Sequence, residues 1–219
     1  MRELCGVRSF LIDLDGTLVD SSPLHDQAYR RVIESEAPHL LSGYDYRQLM
    51  GIATGAAFAR LGVEEAAEVE RLTTLKQRLY RNALKRGELA EKAGARNLVQ
   101  AMNQAGNVVS IVTSASRQSA LAALEMTGLA SFVDNVVAAE DAPGTKPRPD
   151  AYLEALRQSG VPLAASIAVE DALSGVIAAR AAGLRVIGVH DESLTSVCEF
   201  YFPDLTLFRE AVDAARLES

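Results

Sequence analysis

Hydrophobic and polar positions give this chain two textures. In residues 107–112 a β-branched run ends in Thr113-Ser114-Ala115-Ser116 and leads into a helical pattern over 117–126. Residues 165–169 form a second apolar run, which ends in Glu170-Asp171 before a small-residue helix predicted over 173–182 and stopped by Gly183. Residues 133–138 and 184–189 read as further strands, and residues 7–12 are their N-terminal counterpart, ending in Asp13-Leu14-Asp15-Gly16-Thr17. Strand and helix signals alternate from about residue 90 onward, which predicts a Rossmann-like α/β fold, a parallel sheet with helices on both faces. Between about Asp20 and Gly87 the strand signals vanish. Helices are predicted there over 23–34, 46–61 and 64–85, the last with Leu72, Leu75 and Leu79 on helical spacing. This segment reads as an all-helical lobe, residues 20–88, inserted into a core made of 1–19 and 89–219.

In parallel sheets ligands bind beyond the carboxyl ends of the strands, where the polar clusters of this chain fall. Alternation along a strand points Asp13 and Asp15 to one side, where their carboxylates repel unless a cation or a shared proton relieves them. Asp15-Gly16-Thr17 by itself reads equally well as a turn, but a turn leaves Asp13 unexplained. Glu170-Asp171 likewise serves either as a helix cap or as a metal site, and the two roles are compatible.

Composition narrows the classes. The 219 residues are 48% hydrophobic and 23% charged, which describes a folded protein with a substantial core. A net charge of -7 argues against a general binder of nucleic acid or of anionic membranes, although one local cation suffices for a small anionic substrate. Cys5 and Cys198 form no CxxC pattern and are expected to be reduced, buried thiols. No leader, membrane-spanning stretch, internal repeat or obligate protein partner is evident, so a cytoplasmic location is expected.

The run Asp13-Leu14-Asp15-Gly16-Thr17-Leu18-Val19-Asp20-Ser21 resembles the first motif of the haloacid dehalogenase-like hydrolases, in the branch with a helical cap inserted after that motif. The other signatures follow in order: a hydroxyl at Thr113 or Ser114, a basic residue at Lys146 within Thr145-Lys146-Pro147-Arg148-Pro149-Asp150, and the acidic pair Glu170-Asp171 with Ser174-Gly175. The resemblance covers almost the whole chain and is nearest to β-phosphoglucomutases and sugar-phosphate phosphatases. It implies Mg²⁺ held by Asp13, Glu170, Asp171 and the Asp15 carbonyl, matched to that ion's preference for oxygen. It further implies attack by Asp13 on phosphorus to give an aspartyl-phosphate, with Asp15 as general acid and then base. Lys146 would add a compact positive charge, and Thr113 or Ser114 with the backbone beside it, at Ala115, would hold the phosphoryl oxygens.

His25, twelve residues after Asp13, falls where mutase-like proteins carry a hinge histidine, though it reads equally as a half-exposed helix residue. His39 and His190 are expected to be structural. Asp15 points away from dehalogenation, which lacks an acid there, and Thr54 stands where a phosphonoacetaldehyde hydrolase needs its Schiff-base lysine. Met50 and Thr54 replace the basic residues with which a mutase would grip a distal phosphate, while Arg47 and Arg60 read as solvated helix residues. Specificity is therefore assigned to cap positions His25, Gln48, Met50 and Thr54, and the substrate to a small phosphorylated metabolite with a neutral polar leaving group, a sugar or polyol. The alternatives are mutase-like phosphoryl transfer and a non-catalytic binding or regulatory protein.

Overall fold

The computed structural model describes residues 4–217. In chain order, β1 (Ser9–Ile12) is followed by the short β2 (Val19–Asp20), by α1 (Ser22–Glu36), α2 (Thr54–Arg60) and α3 (Ala66–Lys85), and by β3 (Ala90–Glu91), which pairs antiparallel with β2. The β2–β3 ribbon is where the chain leaves the core and returns to it. After it come α4 (Ala95–Gln104), β4 (Val108–Val112), α5 (Arg117–Thr127), β5 (Asn135–Val137), α6 (Asp150–Ser159), β6 (Ser166–Glu170), α7 (Leu173–Ala181), β7 (Arg185–Val189), β8 (Phe200–Phe202) and α8 (Leu205–Leu217).

The main sheet has the order β5-β4-β1-β6-β7-β8, with every neighbouring pair parallel. Alternation along β1 feeds both faces. Phe10 and Ile12 pack with Leu98 of α4, Leu124 of α5 and Phe208 of α8, while Leu11 packs with Tyr152 of α6 and Val176 of α7. The sheet is thus buried on both sides, which is why its strands read as unbroken apolar runs. Helices α1 to α3 form a core of their own around Tyr29, Ile33, Phe58 and Leu72, and Tyr80 and Leu84 of α3 continue into the main core.

Two local expectations are corrected, and one strand is added. Residues 46–61 are not one helix. A 3₁₀ turn at Tyr46–Gln48 gives way to a loop with Gly51 at φ +72°, and α2 starts only at Thr54. A left-handed residue cannot continue a right-handed helix. The edge strand β8, too short to give a periodic signal, was not foreseen. Neither cysteine is buried: both are free thiols, Cys5 exposed and Cys198 partly exposed. Among the described residues no helix is long and apolar enough to cross a membrane.

Candidate active site

Strand order assembles the site. β1 lies between β4 and β6, so the residues that follow these three strands, Asp13, Thr113 and Asp171, meet at one edge. Backbone hydrogen bonds carry the ladder into the loops, from Asp13 N–H to the Val169 carbonyl at 3.0 Å and from Thr113 N–H to the Val137 carbonyl at 2.9 Å.

Asp13, Glu170 and Asp171 are buried, and each offers an oxygen within 4.8 Å of the others. The ammonium of Lys146 donates to Asp13 Oδ1 at 2.5 Å, to Glu170 Oε1 at 2.6 Å and to the Val112 carbonyl at 3.0 Å, so its three protons are all engaged. Burial would lower Lys146, but Asp13 and Glu170 outweigh it and hold the amine charged well above its usual range. Burial, reinforced by Glu170, pushes Asp171 up to about 7, and burial likewise raises Asp13 against the pull of Lys146. One ammonium cannot offset three carboxylates in a dry site. An all-oxygen donor set with this excess of negative charge fits a hard divalent cation.

Gly16 and Thr17 make the acidic pair approachable. Gly16 adopts φ +98°, and a Cβ there would overlap the Asp171 carboxylate, so only glycine lets the loop pass. The Thr17 hydroxyl donates to Asp171 Oδ1 at 2.9 Å. His190, a non-glycine residue at φ +66°, donates from Nε2 to the Thr17 carbonyl at 3.0 Å. The histidine expected to be structural therefore buttresses this loop.

The Asp15 carboxylate lies outside the acidic cluster, so only its backbone carbonyl is a candidate ligand. Oδ2 accepts from the Thr113 hydroxyl at 3.2 Å, and Oδ1 accepts from His25 Nε2 at 3.1 Å. Behind His25 stands Lys76, whose ammonium meets Nδ1 at 2.5 Å. With Lys76 donating to Nδ1, His25 is the neutral tautomer that donates from Nε2, and the chain of donors runs one way to Asp15. Burial alone would raise Asp15, but the His25 bond, with Lys76 behind it, holds it well below the usual carboxylate range. Burial first, then Lys76, lowers His25, and burial lowers Lys76 to about 7.

Sequence reasoning missed Lys76. It sits on α3 at i, i+4 spacing between Leu72 and Tyr80, all three buried, and a lysine on the apolar stripe of a helix was the available signal. The Tyr80 ring stacks on His25 with centroids 4.1 Å apart.

The cleft above Asp13 is lined from the core by Asp15, Thr113, Ser114, Ala115 and Asp171 and from the cap by His25, Tyr29, Tyr46, Met50, Thr54 and Lys76. Both hydroxyl candidates thus line it: Thr113 is tied to Asp15 and also accepts from Ala115 N–H at 3.0 Å, while Ser114 donates to the cap carbonyl of Gly51 at 3.2 Å. Gln48 is exposed and does not line the cleft. Arg47, with 86% of its side chain exposed, pairs with Asp45 at 2.8 Å and also lies outside it.

The profile of haloacid dehalogenase-like hydrolases matches residues 10–189. The chain belongs to this family. It is 29% identical over 214 residues to protein CbbY of Rhodobacter capsulatus, covering 91% of this chain and 94% of that one. It is 32% identical over 202 residues to hexitol phosphatase A of Escherichia coli, covering 84% and 83% of the two chains. A β-phosphoglucomutase from Clostridium difficile superposes with a TM-score of 0.83 at 18% identity, covering 97% and 98%, which is a likeness of fold.

Proposed function

We propose that this hydrolase is a Mg²⁺-dependent phosphatase that cleaves a small sugar or polyol monophosphate through an aspartyl-phosphate on Asp13. The observation that carries the reading is the combination of Lys146 bonded to Asp13 at 2.5 Å with a cap lining that holds no guanidinium among the described residues. Lys146 fixes the nucleophile and offsets its repulsion from a dianionic ester. Beyond His25 and Lys76, which are engaged in the chain of donors to Asp15, the cap offers phenols, Met50 and Thr54, which suit a neutral hydroxylated leaving group.

Asp13, Glu170 and Asp171, with the Asp15 carbonyl, would hold the cation, which when bound neutralises charge on the transferring phosphoryl group. Asp13 attacks phosphorus in line. Asp15 is ionised in the empty site; a phosphoryl dianion arriving beside it raises its proton affinity, so that it takes up a proton from solvent as substrate binds and delivers that proton to the leaving oxygen. Having given up its proton, Asp15 takes one from the water that hydrolyses the intermediate. His25 and Lys76 orient Asp15 throughout.

The relatives support a sugar-phosphate phosphatase, since the hexitol phosphatase is among them. Mutase chemistry would need a grip on a second phosphate, but Arg47 is committed to Asp45 outside the cleft and Lys76, which lines it, is engaged by His25. The test is a panel of hexitol and sugar monophosphates, with β-glucose 1-phosphate and its bisphosphate activator included. Phosphate release from a monophosphate without need of the activator is expected. Isomerisation without release would overturn the hydrolytic assignment.

A further inference from the structure

A phenol beneath the acidic cluster makes a contact that this chemistry does not use. Tyr152 on α6 is fully buried, and its hydroxyl donates to Glu170 Oε1 at 2.5 Å. Lys146 Nζ donates to that same oxygen at 2.6 Å and stands 5.3 Å from the centre of the Tyr152 ring. From the far side α7 closes in, because a Cβ on Gly175 would overlap both oxygens of the Glu170 carboxylate. Glu170 is thus held by a phenol, an ammonium and bare backbone. Oε1 carries two donors, which matches its two lone pairs and leaves Oε2 as the oxygen available to a further ligand.

A phenylalanine at 152 would keep the apolar contacts with Leu11 and Ala155 in the same core cluster. The hydroxyl is therefore explained by Glu170 alone, since a buried O–H needs its acceptor and finds it there. Were Lys146 the single donor to Glu170, the carboxylate could pivot about that contact and present either oxygen.

We propose that Tyr152 is a positioning residue for the metal centre: its hydroxyl locks Oε1 of Glu170 so that Oε2 is delivered to the cation and Lys146 stays shared with the nucleophile Asp13. The inference rests on the metal reading above. Hydrogen bonds that orient ligating carboxylates are worth about 10- to 100-fold in metal affinity.

The test is Tyr152→Phe, which removes one oxygen and nothing else. Mg²⁺ affinity of metal-free protein is read by competition against Mn²⁺, followed through the free-Mn²⁺ resonance, with thermal melts without metal as a control of fold. Tyr152→Phe is expected to bind Mg²⁺ about tenfold more weakly. Gly175→Ala, which keeps the phenol but displaces the carboxylate, is expected to weaken binding in the same direction. Mg²⁺ affinity in Tyr152→Phe equal to or tighter than wild type overturns the inference while leaving the metal site standing. Absence of Mg²⁺ binding by wild type overturns the metal reading itself, and the two failures are thereby told apart.

Discussion

Asp15 and Lys76 carry the sharpest consequences at the scale of single residues. Asp15 sits apart from the acidic cluster, so Asp15→Asn should lower kcat/KM by about 10² to 10⁴-fold while leaving the stabilisation by Mg²⁺ intact in thermal melts. Loss of the Mg²⁺ effect in that variant would move Asp15 from proton transfer to metal binding. Lys76 makes its mark on stability. Its folded-state value is lowered from 10.5 to about 7 by burial, so between these pH values the unfolded chain binds more protons than the folded one. Folding then gains stability as pH rises through that window, by at most about 1.4 kcal/mol per pH unit. Lys76→Met removes the effect, and the urea-denaturation difference, wild type minus variant, should grow between pH 7 and pH 10. A flat difference would show that the amine is solvated.

Elements differ in how plainly the sequence announced them. β1, β4, β6 and β7 were legible because strands buried on both faces must be continuously apolar, and the polar residues that close them fall at the ligand-binding edge by topology. Three of the four family motifs named Asp13, Lys146, Glu170 and Asp171, and the second left Thr113 and Ser114 both open. The break at Gly51 was not legible, since apolar spacing over 46–61 suits a helix and only the backbone reveals φ +72°. Lys76 was hidden because the stripe of Leu72, Leu75 and Leu79 drew attention to neighbouring positions on the same helix. Nothing in the sequence sets Tyr152 apart, because only the folded chain brings its hydroxyl to Glu170. The loop after β1 tests how tightly an element is built around one residue. Gly16→Ala forces a side chain into the Asp171 carboxylate at φ +98° and should cost about 1–3 kcal/mol in denaturant titrations, together with loss of activity. Wild-type stability would mean that the loop can relax away from the acidic pair.

The whole molecule works as two packed bodies around a narrow cleft. Its free volume is about 60 Å³, room for a few waters and far less than a sugar phosphate needs. Opening of the cap to admit substrate is therefore expected, with the β2–β3 ribbon and Gly87, at φ +72°, as candidate points of bending. Ser114 holding the Gly51 carbonyl ties the cap to the core where the phosphoryl group would arrive. Amide exchange over residues 49–53 should accordingly slow when Mg²⁺ and vanadate fill the site, and unchanged exchange there would argue against a moving cap. The proposed chemistry depends on Asp13 above all, and phosphate release with and without Mg²⁺ by wild type and Asp13→Asn, on whichever monophosphate turns over fastest, tests it most directly. Metal-dependent release that falls by at least about 10³-fold in the variant is the predicted result. Release that persists in Asp13→Asn, or that ignores the metal, would contradict it.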